Sequence, residues 1–353
     1  MTTADDVRVV AQAAIDEAVA TVAGQLVLAD ETIAALTTAV EERNAAIADL
    51  EAALAACQAA GAARFPGDPG IGNLFIGESR QGGDPTDRET YCGHTVGIFR
   101  SYVTAGTIAT ANATIATAAR DKSKGRYPLC STKVPGTWAQ VADGVNDAWL
   151  FFLLDGLGAL DWPVGLCLHH EPFDNQGPGN TPASYRAMHK RAKDYVDAKP
   201  GNKIAITPIL QSSPFSPSVG GNADVTAWFA ADSCHCIGLD GYNHKSFNPA
   251  NGNQWRDPAV VFEVVPVVIE AFGKPVVVAE TGVRTDPNQP GRAATWMHRA
   301  VSLLKATDLV YAVSFFDSGT NVNDGGSSWQ FDADGPERLD AFKDLILTQS
   351  AFL

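Results

Sequence analysis

The chain has 353 residues, 45% of them hydrophobic and 19% charged, which is enough apolar material for a large core. It exceeds one ordinary domain and matches a β/α barrel of roughly 250 residues plus an extension. A formal net charge of -14 argues against nucleic acid or an anionic membrane as a partner.

The opening Met-Thr-Thr-Ala-Asp-Asp lacks the basic and apolar parts of a secretory signal, so no signal peptide is expected. No later run reads as long enough to span a bilayer, and no membrane insertion is expected. Residues 1–60 are rich in Ala, Glu and Asp, contain no proline and hold a single glycine, Gly24, which is helix composition. Apolar residues recur every seven positions. Val19, Leu26, Ile33, Val40, Ile47 and Leu54 form one seam, and Ile15, Val22, Ala29, Leu36 and Leu50 the other, with Arg43 and Cys57 as departures. A seven-residue repeat kept this long predicts a left-handed coiled coil, so the helix needs partners. Residues 61–72, with Phe65-Pro-Gly-Asp-Pro-Gly-Ile-Gly72, read as a Pro/Gly linker, because proline and glycine break regular elements.

From 73 to 353 strand-like and helix-like segments alternate. Strands are predicted at 73–79, 96–103, 127–134, 164–171, 203–210, 236–243, 275–282 and 312–318. Amphipathic stretches lie between them at 138–157, 184–198, 257–272 and 292–305, and a last helix spans about 335–349. Alternation of this kind forces parallel pairing through helical crossovers, and eight repeats close into a (β/α)8 TIM barrel. A doubly wound open sheet would more often show a dinucleotide fingerprint after its first strand, and none is present.

The six cysteines are scattered, and most of them read as reduced, buried thiols. Cys234-His235-Cys236 is a weak metal pattern. Alternate strand residues share one face there, but no second cluster completes a site, so no metal and no cofactor are expected.

Polar residues collect at the predicted strand ends: Glu78, Arg100, Lys133, His169-His170-Glu171, Gln211, Asp240 and Tyr242, Glu280, and Asp317. In a β/α barrel such positions open onto one shared pocket. Two glutamates that each close a buried apolar run, Glu171 after 164–170 and Glu280 after 275–279, suggest glycoside hydrolysis, which needs paired carboxyls. Trp255 and Trp329, in the loops after the sixth and eighth strands, are candidates to stack on pyranose faces.

With His170-Glu171, Asp240-Gly-Tyr242, Glu280-Thr-Gly and Trp329, the segment from Asn73 onward resembles the retaining glycoside hydrolases of clan A, and more particularly family 26 with its β-mannanases. The resemblance implies Glu171 as acid/base, Glu280 as nucleophile and Tyr242 as a contact of the nucleophile. His170 is placed to orient Glu171 or bind a sugar hydroxyl, and Arg100 or Tyr242 to hold Glu280 ionised. The chain departs from the family in Pro-Phe-Asp-Asn-Gln-Gly-Pro-Gly after Glu171 and in Thr-Gly, not Phe-Gly, after Glu280.

A polysaccharide-active barrel, a multimeric coiled coil and a missing signal peptide together look like a phage tail or tail-tip protein, with three chains expected by analogy. The expected partners are a polysaccharide substrate, two further copies and other tail proteins, and the expected location is the virion. The alternatives are a cytoplasmic glycosidase, a non-catalytic receptor-binding module on the same barrel, and a metal-dependent deacetylase using His169, His170 and His244.

Overall fold

The computed structural model describes residues 4–59, 64–80, 83–243, 255–286, 288–319, 329–333 and 335–349. Residue 60 of the expected coiled coil, residues 61–63 of the expected linker, His244, loop residues 321–328 and the seam side chains Ala29, Leu50, Leu54 and Cys57 lie outside the described residues. The chain divides into two compact units, Met1–Ala62 and Ala63–Leu353.

The first unit is one helix, α1 (Ala4–Ala59). Its seam residues Ile15, Val19, Val22, Leu26, Ile33, Leu36, Val40 and Ile47 are all exposed. Against the sequence expectation, Ile15–Ile47 is apolar and long enough to cross a membrane by length and composition. The acids argue against that use. Asp30 and Glu31 sit mid-segment, where each carboxylate costs about 2.5–3.5 kcal/mol in a spanning helix. The charge-free stretch 18–29 is also shorter than the roughly 20 residues a span needs.

The second unit alternates β1 (Phe75–Ser79), α2 (Thr86–Cys92), β2 (Ile98–Val103), α3 (Ile108–Ser123), β3 (Tyr127–Thr132), α4 (Trp138–Ala142), α5 (Asp147–Gly158), β4 (Val164–Leu168), α6 (Pro182–Asp197), β5 (Ile204–Ile206), β6 (Ile209–Gln211), β7 (Ile237–Asn243), α7 (Pro258–Val261), α8 (Val264–Phe272), β8 (Val276–Val283), α9 (Arg292–Lys305), β9 (Val310–Phe316) and α10 (Glu337–Ile346). All strand pairs are parallel, in the order β5-β4-β3-β2-β1-β9-β8-β7-β6.

Nine strands replace the expected eight because the fifth is broken at Thr207-Pro208. Proline has no N–H for the ladder, and at Pro208 the pairing passes from one neighbour to the other. β5 pairs with β4, and β6 pairs with β7. Between them the Thr207 N–H donates to the Leu166 carbonyl at 2.8 Å, and the Gly238 N–H donates to the Pro208 carbonyl at 2.8 Å. The two ends of the strand order are thus halves of one strand, and the sheet closes as an α/β barrel.

Two predicted helices are also split. The stretch 138–157 breaks between α4 and α5 at Gly144, whose φ of 83° suits glycine far better than any L side chain. The stretch 257–272 breaks between α7 and α8 at Phe262-Glu263. Helix α3 was not foreseen, and its buried stripe explains why: Ala111, Thr114, Ala118 and Asp121 have helical spacing but no large apolar residue.

Strand alternation sorts the core into two layers. Phe75, Ile98, Tyr127, Leu129, Cys167, Ala205, Ile209, Val277 and Tyr311 fill the barrel interior, while Ile76, Phe99, Leu166, Ile206 and Val278 face the helices. Cys234 and Cys236 do not share a face as expected: Cys234 is in the helix-side layer and Cys236 inside the barrel. His235 between them accepts from the Ile206 N–H through Nδ1 and bonds Asp197 through Nε2, both at 2.9 Å, so its nitrogens serve the fold.

Candidate active site

Arg100 and Tyr102 alternate with Ser101 on β2, so both side chains enter the barrel mouth. Arg100 is fully buried, and its Nη1 lies 2.7 Å from Asp240 Oδ1 and 3.1 Å from Glu280 Oε1. The Tyr102 hydroxyl donates to Glu280 Oε1, and the Tyr242 hydroxyl donates to Glu280 Oε2. Glu280 therefore faces two phenols and a guanidinium, partners suited to a carboxylate, which only accepts.

A β-bulge puts Glu280 in this position. Val277 and Ala279 face the barrel interior, so strict alternation would turn residue 280 to the helices. The register between β7 and β8 shifts at Leu239/Asp240, pairing Leu239 with Val278 but Asp240 with Glu280. One extra residue on β8 re-aims the glutamate, as bulges beside active sites commonly do.

Glu171 arrives differently. β4 ends at Leu168, three residues short of the expected end, and His169 and Glu171 take left-handed φ values of 63° and 50°. A non-glycine residue there costs about 1–3 kcal/mol and persists only where its surroundings hold it. The His169 N–H donates to the Thr132 carbonyl at 2.7 Å and the Glu171 N–H to the Ile209 carbonyl at 3.1 Å. These bonds turn the half-buried Glu171 side chain to the cluster. One oxygen each of Glu171, Asp240 and Glu280 lies within 4.8 Å of the others.

Burial pushes the Glu171 carboxyl up to about 7; the Glu280 charge adds to this, and Arg100 and Lys133 oppose it. Burial also raises Asp240, against the pull of Arg100 and with a further push from Glu280 and Glu171. Tyr102 and Tyr242 are raised by burial as well, which keeps both phenols protonated and able to donate. Three carboxylates this close could also hold a divalent cation. Arg100 already lies between Asp240 and Glu280 and supplies the positive charge.

The other expected residues divide. His170 stacks edge-on to Tyr102 at 5.3 Å, at the site, while His169 packs against Trp138 at 5.1 Å among the helices. Those two histidines therefore do not converge as metal ligands. Burial and the nearby Arg100 and Lys133 charges hold His170 well below the usual histidine value, so it is neutral. Trp329 is buried beside Tyr242 at 5.1 Å, with Arg284 at 4.6 Å from its ring. A Cβ on Gly282 would meet Trp329 at 2.9 Å, which accounts for glycine at that position.

Trp255, Glu78 and Asp317 lie outside the cluster. Trp255 packs on the helix-side core, with Arg292 at 4.0 Å over its ring. Glu78 is paired in register with Phe99, a helix-facing position, and its Oε1 lies 2.6 Å from Arg80 Nε. Asp317 binds Arg80 at 2.9 Å and Arg88 at 2.7 Å, and Arg88 also holds Asp332 at 2.9 Å. These two carboxyls belong to a buried ion-pair network, not to the barrel mouth. Tyr102 was missed, although its spacing of two from Arg100 on a predicted strand would have found it.

The fold and the cluster define a β/α barrel with paired carboxyls at the C-terminal strand ends, where barrel enzymes carry their chemistry. No protein-family model and no curated protein matches the chain. Solved structures do share its fold. GH26C from Muricauda sp. aligns at 13% identity with a TM-score of 0.51, over 78% of this chain and 86% of that one. GH5_18 from Bifidobacterium longum subsp. longum aligns at 12% and 0.54, over 78% and 79%. An endo-beta-1,4-glucanase from Xanthomonas axonopodis pv. citri aligns at 13% and 0.50, over 77% and 99%. These neighbours are glycoside hydrolases, and what they share with this chain is the barrel.

Proposed function

We propose that the chain is a retaining glycoside hydrolase, an endo-β-glycanase acting on a cell-envelope or other polysaccharide. The observation that carries this reading is the pairing of Glu171, raised to about 7, with Glu280, held by two phenols and Arg100, each with an oxygen within 4.8 Å of the other. Retaining enzymes place their carboxyls about 5–5.5 Å apart. Glu280 attacks the anomeric carbon as Glu171 gives its proton to the departing glycosidic oxygen, leaving a glycosyl ester on Glu280. Glu171, now a carboxylate, then takes a proton from water as the water oxygen attacks that carbon and Glu280 leaves. The glycoside hydrolase fold of the neighbours supports the class; the sugar and the retained configuration are part of the proposal.

New reducing ends released from a polysaccharide panel test the activity, and NMR of the first product formed tests its configuration. An α-anomer released first from a β-linked substrate would refute retention. The pH dependence has a defined sign: Glu171 must be protonated in the first step, so kcat/KM should fall as pH rises through about 7. A flat profile between pH 6 and 8 on a substrate whose chemical step limits the rate would remove Glu171 from that role.

The exposed seam of α1 supports self-association, and we extend the proposal to a homotrimer in a phage tail or tail tip. Light scattering on the full chain should give three copies, and residues 64–353 alone should give a folded monomer. A monomeric full chain would exclude the coiled coil.

A further inference from the structure

A cleft of ≈ 150 Å³ runs from the carboxylate cluster along the loop after β6, lined by Glu171, Asp240, Gln211, Ser212, Ser213 and Arg256 among others. Arg256 is unusual in this acidic chain. Several buried or half-buried arginines elsewhere in the barrel hold acids, Arg64 with Asp68, Arg126 with Glu89 and Asp121, and Arg191 with Asp147, while buried Arg338 donates to backbone carbonyls instead. The Arg256 side chain makes no hydrogen bond or ion pair among the described residues. Its sequence neighbour Asp257 is 2.7 Å from Arg299, and Glu263 accepts from Ser216 and Ser218. Burial lowers the Arg256 guanidinium from its usual value, and no nearby acid offsets the shift. Its backbone is fixed on both sides, the N–H donating to Asn243 Oδ1 at 3.0 Å and the carbonyl accepting from Trp296 Nε1 at 2.8 Å. A half-buried cation without an acceptor is costly unless a ligand supplies one.

We propose that Arg256 is a specificity residue that binds the carboxylate of a uronic-acid unit adjoining the scissile bond. The placement at the scissile bond rests on the glycosidase reading; the anion binding does not. A substituent entering beside Glu171 and Asp240 meets their negative field, so an acidic sugar needs a counter-charge there. One guanidinium offsets one negative charge, and its planar fork matches a carboxylate in bidentate fashion. A phosphate, with more negative charge against the same acids, fits less well. Gln211 Oε1 is buried with no hydrogen-bond partner among the described residues, and it lines the cleft with Ser212 and Ser213, groups suited to neighbouring sugar hydroxyls.

The test measures binding without turnover, by saturation-transfer NMR on the full chain with D-glucuronate, its neutral methyl ester and inorganic phosphate. Glucuronate should bind about tenfold or more tighter than the ester, and Arg256→Gln should bring the two within about twofold. Arg256→Lys, which keeps the charge but loses the fork, should fall between them. Equal binding of acid and ester by the unaltered protein, a preference that survives in Arg256→Gln, or phosphate displacing glucuronate at lower concentration would each overturn the proposal. Charge discrimination in a protein that cleaves no polysaccharide would refute the glycosidase reading and leave the anion site standing. Cleavage without discrimination would do the reverse.

Discussion

Replacing Glu280 with alanine should lower kcat/KM by about 10⁴-fold or more on every substrate, because no other group at the site can form the glycosyl intermediate. Its neighbour Asp240 cannot substitute, since its Oδ1 is bound to Arg100 and burial raises its pKa. Glu171→Ala should behave differently. An aryl glycoside with a good leaving group needs no proton, so it should still load Glu280 rapidly. The intermediate then accumulates, because nothing activates water. Azide needs no base and should restore turnover of the Glu171 variant as a β-glycosyl azide of retained configuration. Any rescue of the Glu280 variant should give the inverted azide. Steady-state kinetics, the pre-steady-state burst and NMR of the azide products decide the matter. Equal losses in both variants with neither azide would mean that the two roles are misassigned.

The parts of this fold that were legible in the sequence are those written as periodicity. Continuous apolar runs placed the strands, and strand-end positions placed Arg100, Asp240, Tyr242 and Glu280 at one mouth, where the structure brings them together with Glu171. What alternation alone could not supply was phase. Glu78 and Glu280 both end apolar runs, yet Glu78 follows simple alternation to the helix side, while the extra residue near Ala279 turns Glu280 inward. A bulge is a register event between two strands and leaves no trace in one strand read alone. Glu171 is a similar case. Its approach depends on left-handed backbone at His169 and Glu171, which composition gives no reason to expect at non-glycine positions. Proline is a signal of a different kind: Pro208 sits where the predicted strand 203–210 breaks, yet Pro128 lies inside unbroken β3, so the residue alone does not say which strand is interrupted.

Arg100→Met should be the most damaging substitution to the fold at this site, and its pH dependence should identify the cause. Methionine fills much of the same volume, so little packing is lost. What disappears is the cation between Asp240 and Glu280, both buried, and stranding buried charges in this way costs about 3–5 kcal/mol. The sign against pH follows from the carboxyls. Burial already raises Asp240 while Arg100 opposes the shift, so removing Arg100 must raise it further. A carboxyl whose folded-state pKa lies above its unfolded value binds more protons in the folded state, and stability falls as pH rises between the two. The variant's deficit should therefore be largest at neutral and alkaline pH and should shrink as pH approaches the unfolded carboxylate value of about 4. Urea titrations of both proteins at pH 4.5 and 8 measure this directly. A deficit of the same size at both pH values would trace the loss to packing or to the contact with Tyr102, whose ring lies 4.8 Å from the guanidinium, and not to the charge. Activity should be lost together with stability, because Arg100 Nη1 lies 3.1 Å from Glu280 Oε1 and its removal takes away one of the three groups that position the nucleophile.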